Sequence, residues 1–227
     1  MRGLSIIVPC YNEASRGDFE SRVRKLARCK GKMPFACELV FVDDGSEDET
    51  EKILTNQNQK VFSLLENRGK YIALQYGIAL CKYDTVLMLD ADLEVAASDI
   101  INAYSHIERY PVIVGYRTEE DKTLFRSLLS KISKIFSKYI MKISVRDTQC
   151  GYKMFRKEVY GKIKGNLVCH KYLWDMDFLM EVQRRNIPVM EVSISAKGIK
   201  KSSFKPLLMV WGSVKEIKKI LRKGKKL

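Results

Sequence analysis

Four short apolar runs in the first 90 residues constrain the fold more than any other feature of the sequence. Each run has the length of one buried strand, and each is followed by polar residues and then by a predicted helix. The runs span residues 4–8, 38–42, 61–65 and 85–89. This alternation with short connections predicts an α/β fold, in which a mostly parallel sheet carries helices on both faces.

Polar residues at the helix starts set the expected boundaries between these strands. Asp18 stands where an N-cap is expected for the first helix. Ser46 and Glu49 have capping-box spacing, which predicts that the second helix begins at Ser46. The third helix is expected from Lys70 to about residue 81.

Acidic residues follow three of the predicted strands, at the point where each strand ends. Asp90 and Asp92 come directly after the run 85–89, Asp44 follows the second run, and Glu13 follows the first. In open α/β sheets ligands bind outside the carboxyl ends of the strands. Mg²⁺ and Mn²⁺ prefer oxygen ligands and are often held by one or two carboxylates together with substrate phosphates. An isolated Asp-x-Asp is most often a solvated turn, but its coincidence with two other acidic strand ends predicts a metal bridge to a diphosphate.

The second half of the chain continues the alternation and adds two basic amphipathic segments. A helix over 98–109, a strand over 112–115, a helix over 172–185 and a strand over 189–194 are expected. The basic segments are a helix over 122–143 and a tail over 206–227. We therefore predict one α/β domain over 1–205, followed by the amphipathic tail.

The net charge of +14 favours a polyanionic partner, such as a phosphorylated substrate, an anionic membrane or nucleic acid. The lysines form no recognisable nucleic-acid motif and the strand ends are acidic, so a nucleic-acid-binding module is the disfavoured alternative. No signal peptide and no bilayer-spanning apolar stretch are expected, which predicts a cytoplasmic protein with reduced cysteines.

Six motifs together resemble family 2 glycosyltransferases of the GT-A-type fold, and more narrowly the polyprenyl-phosphate sugar synthases. They are Val8-Pro9-Cys10-Tyr11-Asn12-Glu13, Val42-Asp43-Asp44-Gly45-Ser46, Asn67-Arg68-Gly69-Lys70, Asp90-Ala91-Asp92, Gly115-Tyr116-Arg117 and Asp147-Thr148-Gln149-Cys150-Gly151-Tyr152-Lys153. The first, second and fourth motifs together indicate the family. The last motif points more specifically to lipid-phosphate acceptors, and it is similar to that of the dolichyl-phosphate glucosyltransferase branch.

The resemblance implies a nucleotide-sugar site at the strand ends. Its residues are Pro9, Tyr11, Glu13, Val42, Asp44, Lys70, Asp90, Ala91 and Asp92. Asp90 and Asp92 are implied to hold the donor diphosphate through Mg²⁺ or Mn²⁺, with Glu94 as a further candidate ligand where relatives often have Gln. Arg117 and Lys153 are implied to contact the acceptor phosphate.

The acceptor decides whether a general base is needed. A lipid phosphate is already ionised near pH 7 and needs none, whereas a sugar hydroxyl needs a positioned carboxylate. Asp147, Asp175 and Asp177 are the candidates for that role, and Asp175 is retained with Asp92 as a catalytic candidate.

The resemblance thus implies inverting transfer of a hexose, with UDP-glucose favoured as donor and dolichyl or polyprenyl phosphate as acceptor. GDP-mannose as donor and a saccharide hydroxyl as acceptor are the alternatives. The basic tail predicts peripheral attachment to the cytoplasmic face of an anionic membrane, directly or through an anchoring partner.

Overall fold

A computed structural model describes residues 1–92, 94–117, 144–148, 150–169, 173–194 and residue 216. Its strands are β1 (Leu4–Cys10), β2 (Cys37–Asp43), β3 (Val61–Ser63), β4 (Thr85–Leu89), β5 (Val112–Arg117), β6 (Tyr152–Arg156) and β7 (Val189–Ile194). They form one seven-stranded sheet in the order β3-β2-β1-β4-β6-β5-β7. All neighbouring pairs are parallel except those of β6, which runs antiparallel to β4 and β5. The predicted α/β class with a mostly parallel sheet is confirmed.

Helices cover both faces of this sheet. They are α1 (Phe19–Gly31), α2 (Thr50–Asn56), α3 (Lys70–Leu80), α4 (Ala97–Ser105), α5 (Lys157–Ile163) and α6 (Trp174–Arg184). Side chains alternate between two cores, so that Ile7 packs with α3 residues whereas Ile6 and Val8 pack with α1 residues. Burial on both faces explains why these strands read as continuous apolar runs.

Parallel pairing brings the carboxyl ends of β1, β2 and β4 to one edge of the sheet. Cys10 is paired with Asp43, and Ile7 with Met88, so the polar residues that follow these three strands are neighbours. β6 enters the sheet at the same edge, where Tyr152 pairs with Leu89.

Two of the predicted helix boundaries are wrong. The second helix begins at Thr50 rather than at Ser46, since Ser46 is bound to the Asp43 carboxylate through its hydroxyl and through its main-chain N–H at 3.1 Å. The fourth helix ends at Ser105, before the predicted residue 109. Asp18 is at the N-cap of α1 as predicted, but its carboxylate accepts from Arg22 at 2.9 Å instead of from the helix backbone.

The predicted basic helix over 122–143 lies outside the described residues, and so does the tail over 206–227 apart from Glu216. Glu216 is only 7% exposed, and its carboxylate accepts from the N–H of Leu173 at 2.9 Å. The boundary at residue 205 stays a prediction. Among the helices described, none has the length and apolar character that crossing a bilayer requires.

Candidate active site

The acidic turn after β4 is fixed through Asp90. The main-chain N–H of Asp90 donates to the Gly151 carbonyl at 3.0 Å, and a Cβ on Gly151 would lie 2.1 Å from Asp90 Oδ2. The absence of a side chain at Gly151 therefore lets the Asp90 carboxylate occupy its position. The Asp90 and Asp92 side chains are 31% and 43% exposed, which leaves oxygen atoms of both accessible to a ligand.

Lys70, Asp90, Lys153 and Asp175 form a chain of alternating charges, here called the lysine–aspartate chain. Lys70 Nζ is 2.7 Å from Asp90 Oδ1 and 3.5 Å from Asp175 Oδ2. Lys153 Nζ is 2.7 Å from Asp175 Oδ1 and donates to the Cys150 carbonyl, also at 2.7 Å. Three elements supply these residues: α3 begins with Lys70, β6 carries Lys153, and the first turn of α6 carries Asp175.

The charges of this chain stabilise one another. Burial opposes ionisation of Asp175, but the ammonium groups of Lys153 and Lys70 outweigh it and hold the pKa of Asp175 below its usual value. Burial also disfavours the charged form of Lys70, but Asp175 and Asp90 raise its pKa above the usual value. Asp175 is therefore ionised and pairs with two lysines. Its lowered pKa makes it a weak proton acceptor.

Glu13, Arg16, Arg22 and Asp92 form a second group, here called the arginine cluster. Arg16 lies between two acids, 3.2 Å from Glu13 Oε2 and 3.6 Å from Asp92 Oδ2. The buried Arg22 guanidinium donates to the Ala91 carbonyl and lies 3.6 Å from Glu13 Oε2. The cluster thus links the end of β1 and helix α1 to the acidic turn after β4.

The acids of the arginine cluster are only partly neutralised. Burial raises the pKa of Glu13 to about 7, despite the opposing effect of Arg16 and Arg22, and Glu13 Oε2 is buried without a hydrogen bond. Burial also raises the pKa of Asp92, and the neighbouring Asp90 charge adds to that increase. A further cation at this edge would relieve both effects.

Asp44 organises the loop in front of Lys70. Its carboxylate is 3% exposed and accepts from the main-chain N–H groups of Arg68 and Gly69 at 2.9 and 2.8 Å. Gly69 is the N-cap of α3 and has φ 93°, a conformation that favours glycine. The contact of Asp44 with the nucleotide sugar remains a prediction.

The other predicted donor-site residues differ in their burial and in their partners. Tyr11 is 41% exposed and Pro9 is half-buried, and both lie at the end of β1, at the same sheet edge as the acidic turn. The Val42 side chain is fully buried in the core, and its place in the donor site remains a prediction. Glu94 is paired with Lys25 at 2.8 Å, on the α1 side of the turn.

The two predicted acceptor residues also differ. Arg117 is the last residue of β5, and its side chain lies outside the described residues. Lys153 is completely buried, with its ammonium bound to Asp175 and Cys150. The acceptor contacts of both residues remain predictions. Asp177, the alternative base, accepts from the Cys169 N–H at 3.0 Å and is fully buried in the fold.

Sequence reasoning missed Arg16, Arg22 and the role of Gly151. The i,i+4 spacing of Asp18 and Arg22 on α1 is a signal for their ion pair. No local signal connects Arg22 to Ala91, which is 69 residues away, or Gly151 to Asp90. These contacts depend on the order of strands in the sheet.

The acidic turn suits a hard divalent cation. Asp90 and Asp92 are one residue apart in this turn, and both carboxylates are partly exposed. Burial, and secondarily the Asp90 charge, raise the pKa of Asp92, and a bound cation would oppose both effects. No cluster of three or more His, Cys, Asp or Glu side chains with metal-binding geometry occurs within the described ranges. Such a site would hold its metal by one or two carboxylates and fill the remaining positions with substrate phosphate and water.

A model of the family described as Glycosyl transferase family 2 matches residues 5–164, which is more than half of the chain. The chain belongs to glycosyl transferase family 2. A dolichyl-phosphate beta-glucosyltransferase of Dictyostelium discoideum is 30% identical over 96% of this chain and 73% of the relative. The predicted resemblance is confirmed, and the protein is a glycosyltransferase.

Two solved structures share the fold at low sequence identity. Mannosyl-3-phosphoglycerate synthase from Rubrobacter xylanophilus superposes with a TM-score of 0.77 at 14% identity, over 99% of this chain and 75% of the neighbour. Glucosyl-3-phosphoglycerate synthase from Mycobacterium tuberculosis, in complex with Mn²⁺, UDP and glucosyl-3-phosphoglycerate, gives a TM-score of 0.73 at 16% identity, over 98% and 80% of the two chains. The GT-A-type fold predicted from the motifs is confirmed.

Proposed function

We propose that this glycosyltransferase moves a hexose from a nucleotide sugar to dolichyl or polyprenyl phosphate, with inversion at the anomeric carbon. The observation that carries the proposal is the position of Asp175, 2.7 Å from Lys153 and 3.5 Å from Lys70, beside the acidic turn. Asp175 is the carboxylate retained as the candidate base for a hydroxyl acceptor, and it is bound by two ammonium groups that lower its pKa. This arrangement favours an acceptor that arrives already ionised.

A phosphate acceptor needs positioning rather than deprotonation. One of its oxygens attacks the anomeric carbon, and the bond from that carbon to the donor diphosphate breaks with its electron pair leaving on the nucleotide. Lys70, which is 30% exposed at the start of α3, lies where it can attract the anionic groups of the two substrates. The name of the Dictyostelium relative supports the same acceptor class.

The donor side of the proposal rests on the acidic turn. Asp90 and Asp92 would hold Mg²⁺ or Mn²⁺, with Glu94 as a candidate third ligand, and the bound cation supplies positive charge that stabilises the departing nucleoside diphosphate. The glucosyl-3-phosphoglycerate synthase neighbour, crystallised with Mn²⁺ and UDP, supports this assignment. UDP-glucose is the favoured donor because of the glucosyl relative, and GDP-mannose is the alternative because the fold is shared with a mannosyl synthase.

A lipid-linked acceptor requires access to a membrane. The basic residues of the tail over 206–227 would attract anionic lipids at the cytoplasmic face, directly or beside an anchoring partner. Peripheral attachment would hold the protein at the membrane that carries the lipid acceptor.

A saccharide hydroxyl as acceptor is the second candidate, and Glu13 favours it. With a pKa raised to about 7, Glu13 has the proton affinity of a general base near neutral pH. Its carboxylate, however, faces Arg16 and Arg22 in the arginine cluster rather than the lysine–aspartate chain.

The direct test is transfer of labelled sugar into the organic phase. The purified protein is incubated with labelled UDP-glucose or GDP-mannose, Mg²⁺ or Mn²⁺, and either dolichyl phosphate or a free saccharide. We expect glucose to enter the organic phase, with a loss of activity of about 100-fold or more in Asp92→Asn, because several kcal/mol of charge stabilisation depend on the metal.

Two controls sharpen this assay. Equal thermal unfolding of Asp92→Asn and the wild type separates lost chemistry from lost folding. Transfer to the saccharide with no transfer to dolichyl phosphate would overturn the proposed acceptor, and transfer from GDP-mannose alone would overturn the proposed donor.

A further inference from the structure

Arg16 occupies an unusual position at the edge of the candidate donor site. It ends a three-residue 3-10 turn, Ala14–Arg16, that leads from β1 towards α1. Its guanidinium is 3.2 Å from Glu13 and 3.6 Å from Asp92, and its side chain is 18% exposed. Arg16 therefore supplies positive charge to one of the two carboxylates proposed to hold the metal.

The contact with Asp92 is the weaker of these two ion pairs. At 3.6 Å it is longer than a hydrogen bond, and the Asp92 side chain is 43% exposed. The same guanidinium nitrogen, Nη1, makes both contacts, and Glu13 is the closer and the buried partner, so the guanidinium can turn away from Asp92 while it stays paired with Glu13. Arg22 differs, because its buried guanidinium is bound to both the Ala91 carbonyl and the Asp18 carboxylate.

We propose that Arg16 exchanges partners when the donor binds: it neutralises Asp92 in the free protein and binds the diphosphate of the nucleotide sugar in the loaded protein. The inference rests on the proposed function and adds a substrate-binding residue to it. A divalent cation on Asp92 repels the guanidinium, since like charges a few ångströms apart at a protein surface repel each other strongly. The same cation brings in a diphosphate, whose oxygens match the planar fork of donors that arginine presents.

This exchange predicts opposite effects on two ligands. Replacing Arg16 by a neutral residue removes a competitor for Asp92, so Mn²⁺ alone binds more tightly, by about fivefold. The same change removes a charged donor to the diphosphate, so UDP in the presence of saturating Mn²⁺ binds about tenfold more weakly. A residue that only stabilised the loop would weaken both.

The experiment measures both affinities in the full chain without any turnover. Mn²⁺ binding is followed by the electron paramagnetic resonance signal of the free ion, and UDP binding is followed by calorimetry at saturating Mn²⁺. The variants are Arg16→Gln and Arg16→Lys, with Arg24→Gln as the matched control. Arg24 is 62% exposed on α1 and pairs with Glu20, so its loss removes one positive charge without touching the arginine cluster.

Arg16→Gln is expected to bind Mn²⁺ more tightly and UDP more weakly, whereas Arg24→Gln changes neither. Arg16→Lys keeps the positive charge but lacks the planar set of N–H donors of a guanidinium. The affinity of this variant for Mn²⁺ should therefore stay near that of the wild type, while its affinity for UDP falls. Parallel weakening of both ligands in Arg16→Gln, or no change in either, overturns the inference. Failure of the wild type itself to bind UDP with Mn²⁺ would instead refute the proposed donor site.

Discussion

At the scale of single residues, Gly151 sets the position of Asp90. A methyl group there would lie 2.1 Å from Oδ2 and 2.2 Å from Cγ of Asp90, closer than non-bonded atoms can approach. Gly151→Ala should therefore displace the Asp90 carboxylate and reduce transfer by about 100-fold, since a shift of about 1 Å at a reacting centre has that effect. Transfer of labelled sugar measures the loss.

Gly161→Ala is the matched control for this substitution. Gly161 lies on α5, and a Cβ there meets no atom within 4 Å. Its activity should equal that of the wild type, and its stability should rise slightly because alanine favours the helix. Normal activity in Gly151→Ala would show that the Asp90 position is not required.

Single residues also mark the limit of what the sequence predicts. The acids at the ends of β1, β2 and β4 were placed correctly, because a parallel sheet brings these ends together. The burial of Lys153 was not predictable, since its partner Asp175 is 22 residues away on another element. Local sequence reports which residue types are present, whereas pairing depends on which elements become neighbours.

At the scale of elements, helix α6 carries Asp175 and is held at its N-terminus by Glu216. The Glu216 carboxylate accepts the Leu173 N–H at 2.9 Å, two residues before Asp175. Glu216→Ala leaves this N–H without its acceptor, which should lower stability by about 1–3 kcal/mol. It should also lower kcat about tenfold by shifting Asp175 and the lysines bound to it.

Glu181→Ala is the control that separates the positioning of Asp175 from the stability of helix α6. Glu181 is buried near the other end of α6, where it pairs with Arg184 at 3.0 Å and with Arg185. Its loss should lower stability to a similar extent with kcat unchanged, and Glu216→Gln, which retains an acceptor oxygen, should recover much of the activity. A fall in kcat that simply follows stability in all three variants would contradict a positioning role for Glu216.

Some strands were predicted from the sequence and one was not, for a physical reason. Apolar runs covered on both faces identified β1, β2 and β4 well, and the strand over 189–194 has the predicted bounds. The strand β6 was missed because its motif, Tyr152–Arg156, includes two cationic residues, and one of them, Lys153, is buried through ion pairing. A charged residue that is buried because it pairs with a residue of another element does not add to an apolar pattern in its own strand, so the strand is not recognised from its sequence.

At the scale of the whole molecule, the positive charge and the acidic sheet edge have different roles. The net charge is +14, yet the acids converge at the carboxyl ends of the strands, where three of them lie in or beside the turn after β4. The proposed metal and diphosphate neutralise that edge locally. The excess of lysine and arginine is therefore available to attract an anionic surface.

The tail offers the sharpest test of that attraction. Arg222, Lys223, Lys225 and Lys226 form its basic end, and replacing all four by Gln lowers the net charge by four. Deleting the whole tail is a poorer experiment, because it would also remove the contact between Glu216 and Leu173. Each basic residue near an anionic surface contributes about 1 kcal/mol, so the full-length variant should bind phosphatidylserine vesicles at least about tenfold more weakly at low salt.

A control with the same change in charge decides whether the tail or the net charge is responsible. Arg24, Arg28, Lys52 and Lys162 are exposed on α1, α2 and α5, and their replacement by Gln also lowers the net charge by four. If the tail is the membrane contact, this second variant sediments with the vesicles as the wild type does, and salt weakens both alike. Equal loss in the two variants would assign binding to net charge alone, and the lipid phosphate would then reach the acidic edge without a fixed attachment of the tail.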